Sequence, residues 1–494
     1  MKKNLLVLTL LLFLFAACSS NDSVSTSIKG EDLVFPDGFW WGTSSAAYQI
    51  EGNDTNVNWY RWEEMGKTQS RSGMASNGYK MYMTDSTLMT DLNFNTYRFS
   101  IEWARVEPSY NVWDEEAIKH YHAVIADLIS KGIRPVVCLH HFTTPVWVED
   151  PANLKEYPGW ISDFSVKAFT EFIKKMVDEY KDQVDYWMIF NEPNMFTMTG
   201  YWLGVAPPGY GDFLHFDHYF YKALKHIILA HRQGYKIIKQ YDDVDADGDG
   251  INSLVGIAQN MNDYQPATPE DEEAAKRANY LLNLIVLDGV TFGKVDFDLD
   301  GEFDYTFPTT DLTLDWMGVN YYTLTPVVKL NGIDYLNAFP CISYTVDIGP
   351  ERCTKMLDGV KTDMSWLIYP KGIYNILTMA YERYGQFHLP MYITENGLAT
   401  YSGKLRAEYI VSHFYWMWKA IQEGVTLQGY LHWSLYDNYE WGSYFPHFGL
   451  YYVDYKNNYK RILTEGGAVM GEIAKGNSIP YEYLQKYDEF LKVK

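Results

Sequence analysis

Eight short apolar runs, each bounded by turn residues and followed by a stretch of helical pattern, limit most severely what this chain can become. They lie at 39–46, 95–101, 134–140, 185–190, 254–260, 315–322, 390–394 and 427–434. Strands that alternate with helices in this rhythm build parallel sheets, and eight is the number that closes one into a ring. The expected class is therefore α/β, a (β/α)8 TIM barrel in a single domain with rim loop insertions. Between the runs, the segment 163–180 places Phe164, Ala168, Phe172, Met176 and Val177 at helical spacing and predicts an amphipathic helix with those residues inward. The segment 330–363, rich in Gly, Pro, Tyr and Asn, predicts a long loop over the rim after the sixth strand.

The amino terminus reads differently. Lys2 and Lys3 precede an apolar stretch from Leu5 to Phe15 and the small residues Ala16 and Ala17, the pattern of an export signal. The ending Phe15-Ala16-Ala17-Cys18 resembles the lipobox of bacterial lipoproteins, which implies a lipid anchor on Cys18; the competing reading is an ordinary signal peptide cut near Ala17. Residues 1–18 are thus expected to be a lipoprotein signal, 19–30 a flexible polar tether, and 31–494 the barrel domain. An exported protein, periplasmic or outer-membrane, touching a membrane only through the N-terminal lipid, follows from that reading. A formal net charge of -22 argues against nucleic acid or an anionic lipid surface as partner and favours a neutral ligand. Of four cysteines, Cys138 sits in an apolar run and is expected to be an inert core residue, whereas Cys341 and Cys353 flank a loop and either pair or stay free.

Glu192 ends the run Tyr186-Trp187-Met188-Ile189-Phe190-Asn191, and Glu395 ends Pro390-Met391-Tyr392-Ile393-Thr394. In a parallel barrel the carboxyl ends of the strands form the catalytic rim. Two carboxyl groups gathered there are the equipment for cleaving a glycosidic bond, one attacking the anomeric carbon and one protonating the departing oxygen. The high aromatic content, 17%, supplies flat faces of the kind on which sugar rings stack.

With these residues in view, the chain resembles glycoside hydrolase family 1, the β-glucosidase-like retaining enzymes. The blocks that carry the resemblance are Phe35-Pro36-Asp37-Gly38-Phe39-Trp40-Trp41-Gly42, Ala47-Tyr48-Gln49-Ile50-Glu51-Gly52, Tyr97-Arg98-Phe99-Ser100-Ile101-Glu102-Trp103, Phe190-Asn191-Glu192-Pro193, Gly318-Val319-Asn320-Tyr321-Tyr322, Ile393-Thr394-Glu395-Asn396-Gly397 and the stretch from Trp433 to Trp441. It implies a retaining, exo-acting β-glycosidase without cofactor, glucose being the first expectation for the terminal sugar and galactose, fucose or mannose the rivals. Substrates would be β-linked glucosides, oligosaccharides or aryl glycosides. The resemblance makes Glu395 the nucleophile and Glu192 the acid and then the base. Arg98 and Tyr322 are expected beside Glu395, and Gln49, His141, Asn191, Asn320, Tyr322, Trp433, Glu440 and Trp441 around the sugar.

Some positions depart from the family pattern. His141-Phe142-Thr143-Thr144-Pro145 replaces His-Trp-Asp-Leu-Pro, which leaves open whether His140 or His141 faces the ligand. Ala75-Ser76-Asn77-Gly78-Tyr79 replaces Ala-Cys-Asp-His-Tyr, so contacts near the first strand do not carry over. Glu440, with no Lys or Arg in the six residues after it, disfavours 6-phosphorylated sugars because a carboxylate would repel the phosphate. The loop from Gly200 to Gly209 resembles an aglycone-side loop and suggests a tolerant second subsite. A non-catalytic glycan-binding barrel is the alternative from another class, and the presence of both glutamates argues against it. Two runs, one with Asp243, Asp245, Asp247 and Asp249 and one with Asp296, Asp298 and Asp300, alternate acids with a Gly turn. Each reads either as a Ca²⁺ loop or as a solvated acidic turn, and neither carries the twelfth-position Glu of an EF-hand.

Overall fold

The computed structural model describes residues 30–341, 353 and 356–491. Its centre is a closed barrel of eight parallel strands, one from each predicted run. We number them β1 (Trp40–Ser44), β2 (Thr96–Ser100), β3 (Arg134–Cys138), β4 (Tyr186–Asn191), β5 (Leu254–Asn260), β6 (Trp316–Asn320), β7 (Met391–Glu395) and β8 (Leu427–His432). Each pairs with its sequence neighbours, and β8 closes on β1 with Gly429 opposite Trp40 and His432 opposite Thr43. Cys18 and nearly all of the expected tether lie outside the described residues.

The outer ring consists of α1 (Gly78–Asp91), α2 (Glu115–Ser130), α3 (Asp163–Tyr180), α4 (Phe220–Tyr241), α5 (Glu272–Asn279), α6 (Lys371–Tyr384), α7 (Gly403–Gln422) and α8 (Glu465–Gly476). After α5 one π turn, Tyr280–Leu284, leads into the helix Ile285–Thr291. Caps fix several starts: Asp114 accepts from the amides of Glu116 and Ala117, Ser162 from Phe164, and Ser402 from Leu405. α3 has the predicted bounds and buries Ala168, Phe172, Met176 and Val177, but Phe164 is exposed. Phe164 sits in the first turn, where the stripe has already rotated past the barrel wall, and Val166 and Phe169 point inward instead.

Inside the barrel, the end where the strands begin is filled by aromatics. Trp40 stacks on Tyr392 at 4.0 Å, with Tyr186 edge-on at 4.7 Å and Trp316 against Tyr392 at 5.7 Å. This plug requires a glycine on β5, because a Cβ at Gly256 would fall 2.1 Å from the Trp316 ring. Cys138 belongs to the same layer, buried and free, its thiol pushed up to about 12 by burial. With one end closed, ligands reach only the other, where the strands finish. There two strands from the chain between β6 and α6, Leu324–Lys329 and Ala338–Pro340, form a small sheet with Asp263–Pro266 from the chain after β5, and a disulfide joins Cys341 to Cys353, Cα to Cα 5.8 Å.

Candidate active site

Six of the eight barrel strands deliver a polar or aromatic side chain to the lining of one cavity at the carboxyl end, and the other two place Gln49 and Arg98, both fully buried, outside that lining. Gln49 follows β1, Arg98 lies on β2, His141 follows β3, and Asn191 and Glu192 end β4. Asn260 ends β5, Asn320 ends β6 with Tyr322 just beyond, Glu395 ends β7, and Trp433 follows β8 with Glu440 and Trp441 on its loop. The cavity has a volume of about 800 Å³ and is lined by both Glu192 and Glu395. Four non-glycine residues of its wall, Phe142, Glu192, Ser365 and Trp441, hold left-handed backbone at φ 69°, 45°, 61° and 39°. Strain of that kind persists where the surroundings fix a side chain's aim.

The two carboxyls meet opposite environments. Arg98, fully buried, forms an ion pair with Glu395 Oε1, and the Tyr322 hydroxyl donates to Glu395 Oε2 at 2.7 Å. Both oxygens of Glu395 are thus held by donors, one of them cationic. Glu192 has no such cation at hand. Its Oε1 accepts from Asn260 Nδ2 at 3.0 Å and from Asn320 Nδ2 at 2.8 Å. Burial, followed by the negative charge of Glu395, raises Glu192 to about 8, and the two amides and Arg98 only partly oppose this.

Around the pair the expected residues divide into those that face the cavity and those that aim others. Asn191 accepts from Arg98 Nη1 at 2.6 Å and donates to His141 Nε2 at 3.0 Å. A ring nitrogen that accepts belongs to a neutral imidazole, consistent with burial, Arg98 and His140 holding His141 well below its usual range. His141 Nδ1 is left buried without a partner, and its ring lies near those of Trp433 and Trp441. His140 is turned away, edge-on to Trp160, Phe169 and Phe196, with Nε2 3.2 Å from Thr144 Oγ1. The histidine at the cavity is therefore His141. Gln49 Nε2 reaches Glu440 Oε2 and Asn438 Oδ1, both at 3.1 Å, and leaves Oε1 buried and unpartnered. Trp433 Nε1 lies 3.4 Å from Glu440 Oε2, and burial pushes Glu440 up to about 8.

Asn320 and Gln49, both expected around the sugar, are fully buried and stand outside the cavity lining. The Nδ2 of Asn320 is engaged by Glu192 and Asn191 and its Oδ1 by Thr394 Oγ1 at 2.7 Å, so it orients the acid. Asn260 and Thr394 complete that network and were missed in the sequence; their position as strand-end polar residues on β5 and β7 is the signal that marks them.

The acidic loops are remote from this cavity. Asp245 and Asp247 gather with Asp185, whose oxygens already accept the amides of Ala246 and Asp247. Asp243 instead pairs with Lys181 and Asp249 accepts the amide of Ile251, so neither joins the group in which the sequence placed them. Asp296, Asp298 and Asp300 do come together, each accepting an amide of its own loop.

Comparisons with known proteins agree with this geometry. The profile described as Glycosyl hydrolase family 1 matches residues 31–479. A β-galactosidase of Saccharolobus solfataricus is 32% identical over 90% of this chain and 98% of its own length. β-Glucosidase A of Thermotoga maritima is 28% identical, over 90% and 98%. Among solved structures, a β-glycosidase from Pyrococcus horikoshii superposes with a TM-score of 0.80 at 33% identity, covering 94% of this chain and all of its own. The chain belongs to glycosyl hydrolase family 1 and is a retaining β-glycosidase.

Proposed function

We propose that this protein is an exo-acting β-glucosidase, exported on a lipid anchor at Cys18. The observation that carries the reaction is the opposed pair: one carboxyl braced by Arg98 and Tyr322, the other neutralised by burial, both on one cavity. In the first step Glu395 attacks the anomeric carbon while Glu192 gives its proton to the departing oxygen. Both amide contacts of Glu192 fall on Oε1, so Oε2 carries the proton. Once Glu395 is esterified its charge is gone. The second largest cause of the raised Glu192 pKa then disappears, and the same group accepts a proton from the incoming water. Asn191, oriented by Arg98 and Asn320, has one amide hydrogen left for the 2-hydroxyl. Family 1 glycosidases need no cofactor, and every step uses side chains named here.

Removal of a terminal sugar is supported by the burial of the lining residues Asn191 and Trp433 beside the two carboxyls and by the aromatic plug that fills the barrel where its strands begin. Glucose is supported by Gln49 and Glu440, in contact on one side of the pocket, which suit two adjacent hydroxyls lying in one plane. A panel of p-nitrophenyl β-glycosides tests the sugar: a galactoside, fucoside or mannoside turned over faster than the glucoside replaces it in this reading. Glu395→Ala, inactive alone and rescued by azide, should yield the glycosyl azide of inverted configuration; a β-configured azide would mean that the roles of the two glutamates are exchanged. Export rests on the sequence of residues 1–18, and Cys18→Ala should move the protein from the membrane to the soluble fraction and abolish labelling by palmitate.

A further inference from the structure

Just before α4 the chain runs through a series of turns with a repeat of three residues. Phe213, Phe216 and Tyr219 pack inward, and Asp212, His215 and His218, each one residue earlier, come out together at the surface. The inward side chains fix the segment. Trp202 stacks on Phe213 at 5.5 Å, meets Phe216 edge-on at 4.9 Å and donates from Nε1 to the Phe213 carbonyl at 2.9 Å, while Tyr219 stacks on Tyr210 at 4.4 Å. Asp334, far along the chain, accepts the Phe216 amide on Oδ2 at 2.6 Å. A backbone held from both sides leaves the three outward side chains a narrow choice of where their polar ends meet.

His215 Nδ1 lies 2.9 Å from Asp212 Oδ1 and His218 Nδ1 lies 2.5 Å from Asp212 Oδ2, so both rings aim the same nitrogen at one carboxylate. The ring centroids are 5.0 Å apart, and one donor atom from each of the three residues falls within 4.8 Å of the other two. An ion bonded to each at about 2.0–2.2 Å would hold its ligands about 3.4 Å apart, a small widening that two half-exposed rings can supply by turning about their side-chain bonds. Each ring then keeps its proton on Nε2 and gives the Nδ1 lone pair to the ion. Two imidazoles and one carboxylate suit Zn²⁺, Ni²⁺ or Cu²⁺, whereas Ca²⁺ and Mg²⁺ take oxygen ligands. Asp217 and Asp334 add negative charge around His215, so an arriving dication meets an acidic surrounding. We infer that Asp212, His215 and His218 form a binding site for one divalent transition-metal ion, Zn²⁺ in the first place, with water completing the coordination. Because Trp202 and Phe213 belong to the cavity wall, the ion would lock the segment that backs that wall.

The test is a calorimetric titration of the chelator-treated whole protein with Zn²⁺, in the presence of excess Ca²⁺ to occupy any all-oxygen site. One ion per chain should bind, and His215→Gln or His218→Gln should each weaken it by about tenfold or more. A single equivalent of Cu²⁺ should give an electron paramagnetic resonance spectrum coupled to two imidazole nitrogens in the parent and to one in either histidine variant. Zn²⁺ should raise the thermal midpoint of the parent and leave that of the double variant unmoved. Both histidines are half-exposed, so the metal-free double variant should keep the parent midpoint, which separates a lost site from a lost fold. Zn²⁺ bound as tightly by the double variant as by the parent would place the ion elsewhere and overturn the inference. Absence of binding at millimolar Zn²⁺ would overturn it too, leaving Asp212 as a carboxylate shared by two histidine N–H groups. None of these readouts depends on a sugar or on Glu192 and Glu395, so the glycosidase reading stands or falls separately.

Discussion

Glu192 and Glu440 share a condition that links activity to stability. Burial raises both from an ordinary value of 4.5 to about 8, so at intermediate pH the folded protein holds protons that the unfolded chain has released. The stabilisation from this linkage is fully present below about pH 4.5 and is lost as the pH rises through about 8. Glu440→Gln cannot ionise, so its thermal midpoint should fall less between pH 5 and 9 than that of the parent, while kcat/KM drops about ten- to hundredfold with the loss of a sugar contact. Parallel midpoint curves would sink the argument. For Glu192 the same titration is an activity limb, since only the protonated acid can serve a poor leaving group, and turnover should decline as the pH rises through about 8. Asn260 opposes the raised value by donating to Oε1. Asn260→Ala should therefore lower kcat and move the alkaline limb upward; a lower kcat with an unmoved limb would make Asn260 merely structural.

At the scale of elements, the segment between β6 and α6 separates what the sequence shows from what it hides. All eight strands were legible to within a few residues because each is an apolar run cut off by turn residues, and Glu192, Glu395 and Arg98 were legible because they sit on or at the end of such runs. The sheet of Leu324–Lys329, Ala338–Pro340 and Asp263–Pro266 was not, since its strands are short and one pairs across the β5 loop, a contact that only the closed barrel creates. The same limit hid Asn320, whose residue type suits a sugar but whose amide is claimed by Glu192, and the choice between His140 and His141, settled by which face of β3 continues into the aromatic packing. The disulfide, twelve residues apart in sequence, fastens this segment next to the cavity, where Cys341 itself lies in the wall. Replacing both Cys341 and Cys353 by Ala should lower the thermal midpoint only modestly, because the closed loop is short and outside the barrel. It should also raise KM for the p-nitrophenyl glycoside with kcat little changed, and an unchanged KM would show that the insertion does not shape the cavity.

The whole molecule divides its two ends between different tasks. At the end where the strands finish, buried carboxyls and left-handed residues serve chemistry at a cost in stability. At the opposite end the chain termini are stitched together: Leu33–Val34 pairs with Ser478–Ile479, and Asn477, which ends α8 at φ 47°, joins them. Its Nδ2 donates to the carbonyls of Phe35 and Pro36, both at 3.0 Å, its Oδ1 accepts from Trp41 Nε1 at 2.9 Å, and its carbonyl accepts the Phe35 amide at 2.9 Å. Asn477→Ala removes the three side-chain bonds and leaves at a left-handed position a residue that lacks the local polar contacts by which Asn tolerates it, a combined loss of about 3 kcal/mol. Asn477→Gly removes the same bonds but tolerates the backbone, so it should lose less, and the difference between the two midpoints isolates the conformational part. Both variants should keep the parent kcat on a p-nitrophenyl glycoside at 25 °C, because the plug of Trp40, Tyr392 and Trp316 stands between the stitched end and the catalytic pair. A variant with an unchanged midpoint and a fallen kcat would show that the closed end controls the site through the barrel, and the division of tasks would not hold.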